Sequence, residues 1–165
     1  MRAKDPMHCK PYADHFGCEF VAGAKHWGAT DVDVNMPSAM QNDVRMDLPK
    51  RSPPPGVKYY IEVANMPTTN DALRYLMDCG LIVAPSKAVN AGGVATSALE
   101  MAQNSERMVW TAQEVDKQLR QIMNTIYTMS VEAAEEYGLG YNLVAGANIA
   151  GFLKVADAML AYGLV

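Results

Sequence analysis

A pair of glycines follows a short apolar segment in the middle of the chain. Residues 81–84 are apolar, Pro85 ends them, and a helical pattern begins near Val94, directly after Gly92 and Gly93. This order predicts a strand, a loop and a helix. At the carboxyl end of a parallel strand, such a loop faces the crevice in which α/β proteins bind ligands.

Two neutral polar side chains, Asn90 and Ser97, lie in this loop and at the start of the predicted helix. Both can form hydrogen bonds without carrying charge, and the glycines let a ligand approach the backbone closely. The unpaired N–H groups at the helix start favour an anion. We therefore predict a ligand-binding loop. An ordinary connection with a glycine turn is the alternative.

A second segment of this kind follows a predicted strand at residues 31–36. Residues 38–43 place small and amide side chains just past the strand end. A turn with a helix cap made by Asn42 or Asp43 is an equally good interpretation of that composition. The sequence alone leaves both interpretations open.

The composition predicts one globular domain. The chain has 165 residues, half of them hydrophobic, which is enough for one core and too few for two full-sized domains. A net charge of -4 without a basic cluster argues against a nucleic-acid partner. No uninterrupted apolar run is long enough to span a bilayer and no signal core opens the chain, so we expect no membrane partner and a cytoplasmic protein.

The three cysteines, Cys9, Cys18 and Cys79, are an odd number without close pairing, which suits a reducing compartment. His8 and His15 lie near the first two cysteines and could be imagined as zinc ligands. Their spacing matches no zinc pattern. We therefore assign no metal site and expect a solvated leader over residues 1–11.

The predicted elements alternate between strands and helices, which indicates an α/β fold with a parallel sheet and right-handed crossovers, followed by C-terminal helices. Residues 48–56 carry four prolines and predict a linker. Thr111 and Glu114 have the spacing of a capping box at the start of a long helix that stops at Gly138. The predicted strands are 18–21, 31–36, 57–64 and 81–84, and the other predicted helices are 70–78, one from 94 and 147–162.

Several motifs resemble the nucleotide-binding half of glutamate dehydrogenase, in the glutamate/leucine/phenylalanine/valine dehydrogenase family. They are IEVANMPTT at 61–69, APSKAVNAGG at 84–93, SALEM at 97–101, NSER at 104–107, WTAQEVD at 110–116 and YGLGYNLVAGANI at 137–149. The likeness covers nearly all of 12–165 apart from the proline-rich insert. It implies a partial Rossmann-like domain over 12–141 and, over 142–165, a helix that packs on the substrate domain.

The resemblance also implies the activity and its partners. Members of the family convert L-glutamate to 2-oxoglutarate and ammonia with NAD or NADP, usually as homohexamers. By resemblance, Ser97 holds a substrate carboxylate, Asn90 lies beside the nicotinamide and Asn65 contacts a cofactor ribose. The loop Ala39, Met40 and Gln41 corresponds to the one along the nicotinamide side of the cofactor.

The sequence departs from a complete dehydrogenase in important ways. It contains no G-x-G-x-x-G phosphate loop after a strand. The family's lysine-rich motif, catalytic lysine and catalytic aspartate belong to a preceding domain, so no catalytic residue is assigned, and Lys87 is expected to contact a carboxylate or solvent. Met40 stands where the family usually has threonine. Methionine has no hydroxyl, so a hydrogen bond made by the threonine hydroxyl would be missing here.

We therefore expect a C-terminal fragment of a glutamate dehydrogenase that is inactive alone. The alternatives are a weak nucleotide-binding or oligomerisation module and an inert gene remnant with an exposed sheet edge. A preference between NAD and NADP cannot be predicted, because the residue that reads the ribose lies in the missing part of the fold.

Overall fold

The computed structural model describes residues 9–20, 32–47 and 56–163. These residues form three short strands and six helices. In chain order they are α1 (Lys10–Phe16), β1 (Val34–Asn35), β2 (Tyr59–Ile61), α2 (Asn70–Asp78), β3 (Ile82–Ala84), α3 (Ser86–Val89), α4 (Ala91–Glu106), α5 (Ala112–Glu136) and α6 (Leu143–Tyr162).

The strands form a parallel sheet in the order β1-β2-β3, which confirms the predicted α/β class. Tyr60 of β2 pairs with Val83 of β3, and both pack with Leu76 of α2 in the core. Tyr60 is only 1% exposed, so its hydroxyl needs a partner, and it lies 2.8 Å from Oγ1 of Thr68. Burial raises the pKa of Tyr60 above its usual value.

Several element boundaries differ from the predictions. The glycines at 92 and 93 lie inside α4 and not before it, because the helix begins at Ala91. α1 begins at Lys10, inside the expected leader, and α6 begins at Leu143, where the Asn142 side chain accepts a hydrogen bond from the Ala145 N–H. Residues 18–20 are not a strand. Residues 1–8, position 21 and most of the proline-rich linker lie outside the described residues.

The start of α5 was predicted correctly. The Thr111 hydroxyl accepts from the Glu114 N–H at 3.2 Å, and the Glu114 carboxylate accepts from the Thr111 N–H at 2.7 Å. At the start of α2, Thr69 is the N-cap residue, and its side chain makes no capping hydrogen bond.

The backbones of α5 and α6 are in close contact where the two helices cross. A Cβ added at Gly146 would lie 1.8 Å from the Ser130 carbonyl oxygen and 3.1 Å from Cβ of Ala134. Ser130 and Ala134 are 4% and 0% exposed, and the Ser130 hydroxyl donates to the Ile126 carbonyl. Only glycine therefore allows the two backbones to approach this closely.

The outer part of α6 remains uncovered. Phe152, Met159 and Leu160 are 67%, 54% and 82% exposed. By length and composition, α6 is the one helix of the described residues that could cross a membrane, although Lys154 and Asp157 interrupt its apolar sequence. A helix that packs in the core of a soluble protein meets the same criteria.

Substitution of Gly146 tests the helix crossing. Gly146→Ala should lower the free energy of unfolding by about 1–3 kcal/mol, because the new methyl group forces the helices apart. Gly151→Ala is the matched control on α6, since a Cβ there meets no atom within 4 Å, and it should be neutral or mildly stabilising. Urea denaturation followed by circular dichroism measures both. Equal stability of the two variants would contradict the crossing.

The capping box should make α5 sensitive to acid. Hydrogen bonds from the backbone and side chain of Thr111 lower the pKa of Glu114, so the stabilisation is present above the unfolded-state pKa and is lost as pH falls through the folded-state value. The free energy of unfolding of the wild type should fall more between pH 6 and pH 3 than that of Glu114→Gln. The same change at Glu132, in the interior of α5, should leave the wild-type slope intact. Equal slopes for wild type and Glu114→Gln would refute the assignment.

Candidate functional site

The carboxyl ends of β2 and β3 bring two predicted site residues together. Asn65 follows β2, and Asn90 follows the single turn α3 after β3. The side-chain amide of Asn90 donates to Oδ1 of Asn65 at 2.5 Å. Twenty-five residues apart in sequence, they meet because parallel strands end at the same edge of a sheet.

The loop with Ala39, Met40 and Gln41 lies beside Asn65. The Asn42 N–H donates to the Met66 carbonyl at 2.9 Å, and the Ala64 N–H donates to the Pro37 carbonyl at 3.0 Å. All three predicted loop residues are exposed. The loops after β1 and β2 are thus joined by their backbones at the edge where the predicted site lies.

Two left-handed residues mark this junction. Asn42 has φ 54° and Met66 has φ 45°, a region that non-glycine residues seldom occupy and that is especially unfavourable for a long side chain. Such conformations persist where surrounding contacts impose them, and they cluster at functional sites. The sequence pattern did not predict the conformation of Met66.

Ser97 lies farther along α4 and does not join the Asn65–Asn90 pair. It is seven residues beyond Asn90, so it lies on the same face of the helix and about 10 Å away along its axis. Its hydroxyl is exposed and donates to the Gly93 carbonyl at 3.3 Å. A ligand spanning two helical turns could contact both residues.

Two polar residues behind this edge were missed or misplaced by sequence reasoning. Glu62, 4% exposed, accepts a hydrogen bond from the Ser86 N–H at 3.3 Å. The signal for it was a lone acid in an apolar strand. Lys87 lies on α3 rather than in a loop, and it donates to the Asn148 side-chain oxygen. The Lys87 side chain is exposed to solvent, as predicted, and its hydrogen-bond partner is an amide and not a carboxylate.

The chemistry available at this edge is recognition. Neutral amides can bind a carboxamide or ribose hydroxyl, and the serine hydroxyl can donate to a carboxylate. These donors fit the nicotinamide side of a dinucleotide, whereas the sequence has no glycine-rich loop for its pyrophosphate. Among the described residues, no group of three or more His, Cys, Asp or Glu could hold a metal ion.

Three comparisons identify relatives of this fold. The family model for glutamate/leucine/phenylalanine/valine dehydrogenases matches residues 2–163. An NAD-specific glutamate dehydrogenase of Clostridium symbiosum is 59% identical over 99% of this chain and 36% of that protein. The NADP-specific glutamate dehydrogenase of Escherichia coli is 48% identical over 93% of this chain and 34% of that protein.

Solved structures of glutamate dehydrogenases have the same fold as this chain. A glutamate dehydrogenase structure with 60% sequence identity superposes with a TM-score of 0.90 over 96% of this chain and 35% of that chain. The structure of Plasmodium falciparum glutamate dehydrogenase is 39% identical in sequence. It superposes with a TM-score of 0.90 over 100% of this chain and 36% of that chain. The chain thus spans about a third of the length of these relatives. On this evidence, the chain belongs to the glutamate/leucine/phenylalanine/valine dehydrogenase family of oxidoreductases.

Proposed function

We propose that this chain supplies the nicotinamide side of the cofactor site and one substrate contact of an NAD- or NADP-dependent glutamate dehydrogenase. The complete enzyme converts L-glutamate and water to 2-oxoglutarate and ammonia. The observation that carries the proposal is the Asn65–Asn90 contact at the carboxyl edge of the sheet, in a chain whose relatives are named NAD-, NADP- and NAD(P)-specific glutamate dehydrogenases.

Each residue of the proposed site contacts a different part of the cofactor or substrate. Asn90 hydrogen-bonds the nicotinamide end of the cofactor, Asn65 contacts a ribose hydroxyl, and the 39–41 loop lies along the cofactor. Ser97 donates its hydroxyl proton to a substrate carboxylate. The cofactor, when bound, supplies a hydride acceptor. These side chains orient that acceptor relative to the substrate.

Proton transfer is assigned to residues outside this chain. The general base of an amine oxidation must lie within hydrogen-bond reach of the reacting group, and the amides and hydroxyl that form the proposed site are poor proton acceptors. Glu62 is buried and bonded to the Ser86 backbone. The family's lysine and aspartate would come from the substrate domain.

The exposed part of α6 supports a docking role within the complete enzyme. Phe152, Val155 and Leu160 leave an apolar surface open to solvent, and burying that surface is favourable. We propose that it packs on the substrate domain and that the complete enzyme is a cytoplasmic homohexamer. The same surface favours the second candidate function, an oligomerisation module.

Nucleotide binding tests the proposal directly. Without a phosphate loop, NADH should bind with a dissociation constant in the millimolar range or weaker, about -4 kcal/mol, measured from NMR chemical-shift changes. Asn90→Ala should weaken binding about threefold to tenfold, because it removes one polar contact. Asn104→Ala, near the far end of α4, is the control and should bind like the wild type.

Three outcomes would contradict this account of binding. Micromolar affinity would mean that the chain builds a complete dinucleotide site, and identical affinities for the wild type and Asn90→Ala would remove Asn90 from the site. A wild-type chain that shows no NADH-dependent shift would refute nucleotide binding altogether.

Catalysis gives an independent test. The purified chain, incubated with L-glutamate and either NAD or NADP, should produce no reduced cofactor, because the proton-transferring residues are absent. Absorbance at the wavelength of the reduced nicotinamide measures this, with a full-length glutamate dehydrogenase as the positive control. Sustained turnover would show that the chain holds a catalytic base of its own.

A further inference from the structure

Two cavities lie between the single turn α3 and the helices α5 and α6. One of about 150 Å³ is lined by Lys87 and Ala88 of α3 and by Ala147 and Ala150 of α6. Another, of about 100 Å³, lies beneath Ala88 where α3 faces α5 and the start of α6. Gaps of this size remove the close contacts that otherwise fix a side chain in a core. The apolar packing of α3 against α5 and α6 is therefore incomplete around Ala88.

Polar contacts anchor α3 at three points. Glu62 accepts from the backbone of Ser86 at the start of the turn, and Asn65 accepts from Asn90 at its end. Glu62 and Asn65 both lie in the segment that follows β2. The third contact, from Lys87 to Asn148, comes from α6, 61 residues further along the chain.

The anchor on α6 is itself well fixed. Asn148 is two residues beyond Gly146, where α6 lies against the carbonyl of Ser130 with no room for a methyl group. The Lys87 ammonium thus reaches the part of α6 least able to slide along α5. Lys87 and Asn90 are three residues apart on the same helical turn, so a displacement of Lys87 also displaces Asn90.

We propose that Lys87 and Asn148 are positioning residues that fix the turn carrying Asn90 and so couple nucleotide binding to the placement of α6. This inference rests on the proposed function, because it assumes that Asn90 contacts the cofactor. Neither residue touches the reacting atoms. Their role is to hold the Asn90 amide at the distance from Asn65 at which both face the same ligand. Any domain that packs on the outer part of α6 then influences the cofactor site through this contact.

Four variants test the contact, with two readouts. Lys87→Met and Asn148→Ala remove it, Asn148→Asp keeps an acceptor for the ammonium, and Lys154→Met is the matched control, because Lys154 lines the same cavity from α6. The first readout is hydrogen exchange of the Val89 and Asn90 amides, which donate to the Pro85 and Ser86 carbonyls. The second is NADH affinity by NMR titration.

The contact-removing variants should raise amide exchange at Val89 and Asn90 about threefold and weaken NADH binding by a similar factor, as for loss of one exposed hydrogen bond. Their midpoints of thermal unfolding should stay near that of the wild type. Asn148→Asp and Lys154→Met should match the wild type in both readouts. Rescue by aspartate distinguishes a specific contact from a general structural role.

Unchanged amide exchange at Val89 and Asn90 in both contact-removing variants would overturn the inference, whatever their measured affinity for NADH. Faster exchange with wild-type NADH affinity would also overturn it, because α3 would then be loosened without consequence for the ligand. If exchange rises but the wild-type chain gives no NADH-dependent shifts, the proposed function fails while the anchoring of α3 by Lys87 and Asn148 stands.

Discussion

Parallel pairing of β2 with β3 is the constraint on which the site depends. Tyr59, Tyr60 and Ile61 are in register with Ile82, Val83 and Ala84, so the segments that follow the two strands leave the sheet at the same edge. One residue of slippage would turn Tyr60 out of the core. It would also separate the Tyr60 hydroxyl from Thr68. Burial of one tyrosine and the meeting of Asn65 with Asn90 are therefore consequences of the same register.

The residues best predicted from the sequence are those whose structure depends on near neighbours. The bounds of α2 agree with the predicted 70–78, and the Thr111–Glu114 capping box is present, because helix periodicity and capping involve residues three or four apart. The loops with Asn65 and Asn90 meet at one edge, which parallel topology alone requires.

Tertiary contacts account for what the sequence did not reveal. Gly92 and Gly93 suggested a loop, yet they lie in α4, where Gly92 packs near Met123 and Leu119 of α5. The left-handed conformation of Met66 depends on its partner loop across the sheet edge. The pairing of Lys87 with Asn148 joins residues far apart in sequence, and no local pattern encodes it.

Contact between Asn90 and the nicotinamide is the central claim, and nuclear Overhauser effects test it most directly. With NADH in excess over the isotopically labelled chain, the account predicts cross-peaks between nicotinamide ring protons and the side-chain amide protons of Asn90. It also predicts cross-peaks between ribose protons and Asn65. Cross-peaks confined to the two cavities that α3 lines with α5 and α6, with none at Asn90, would contradict it.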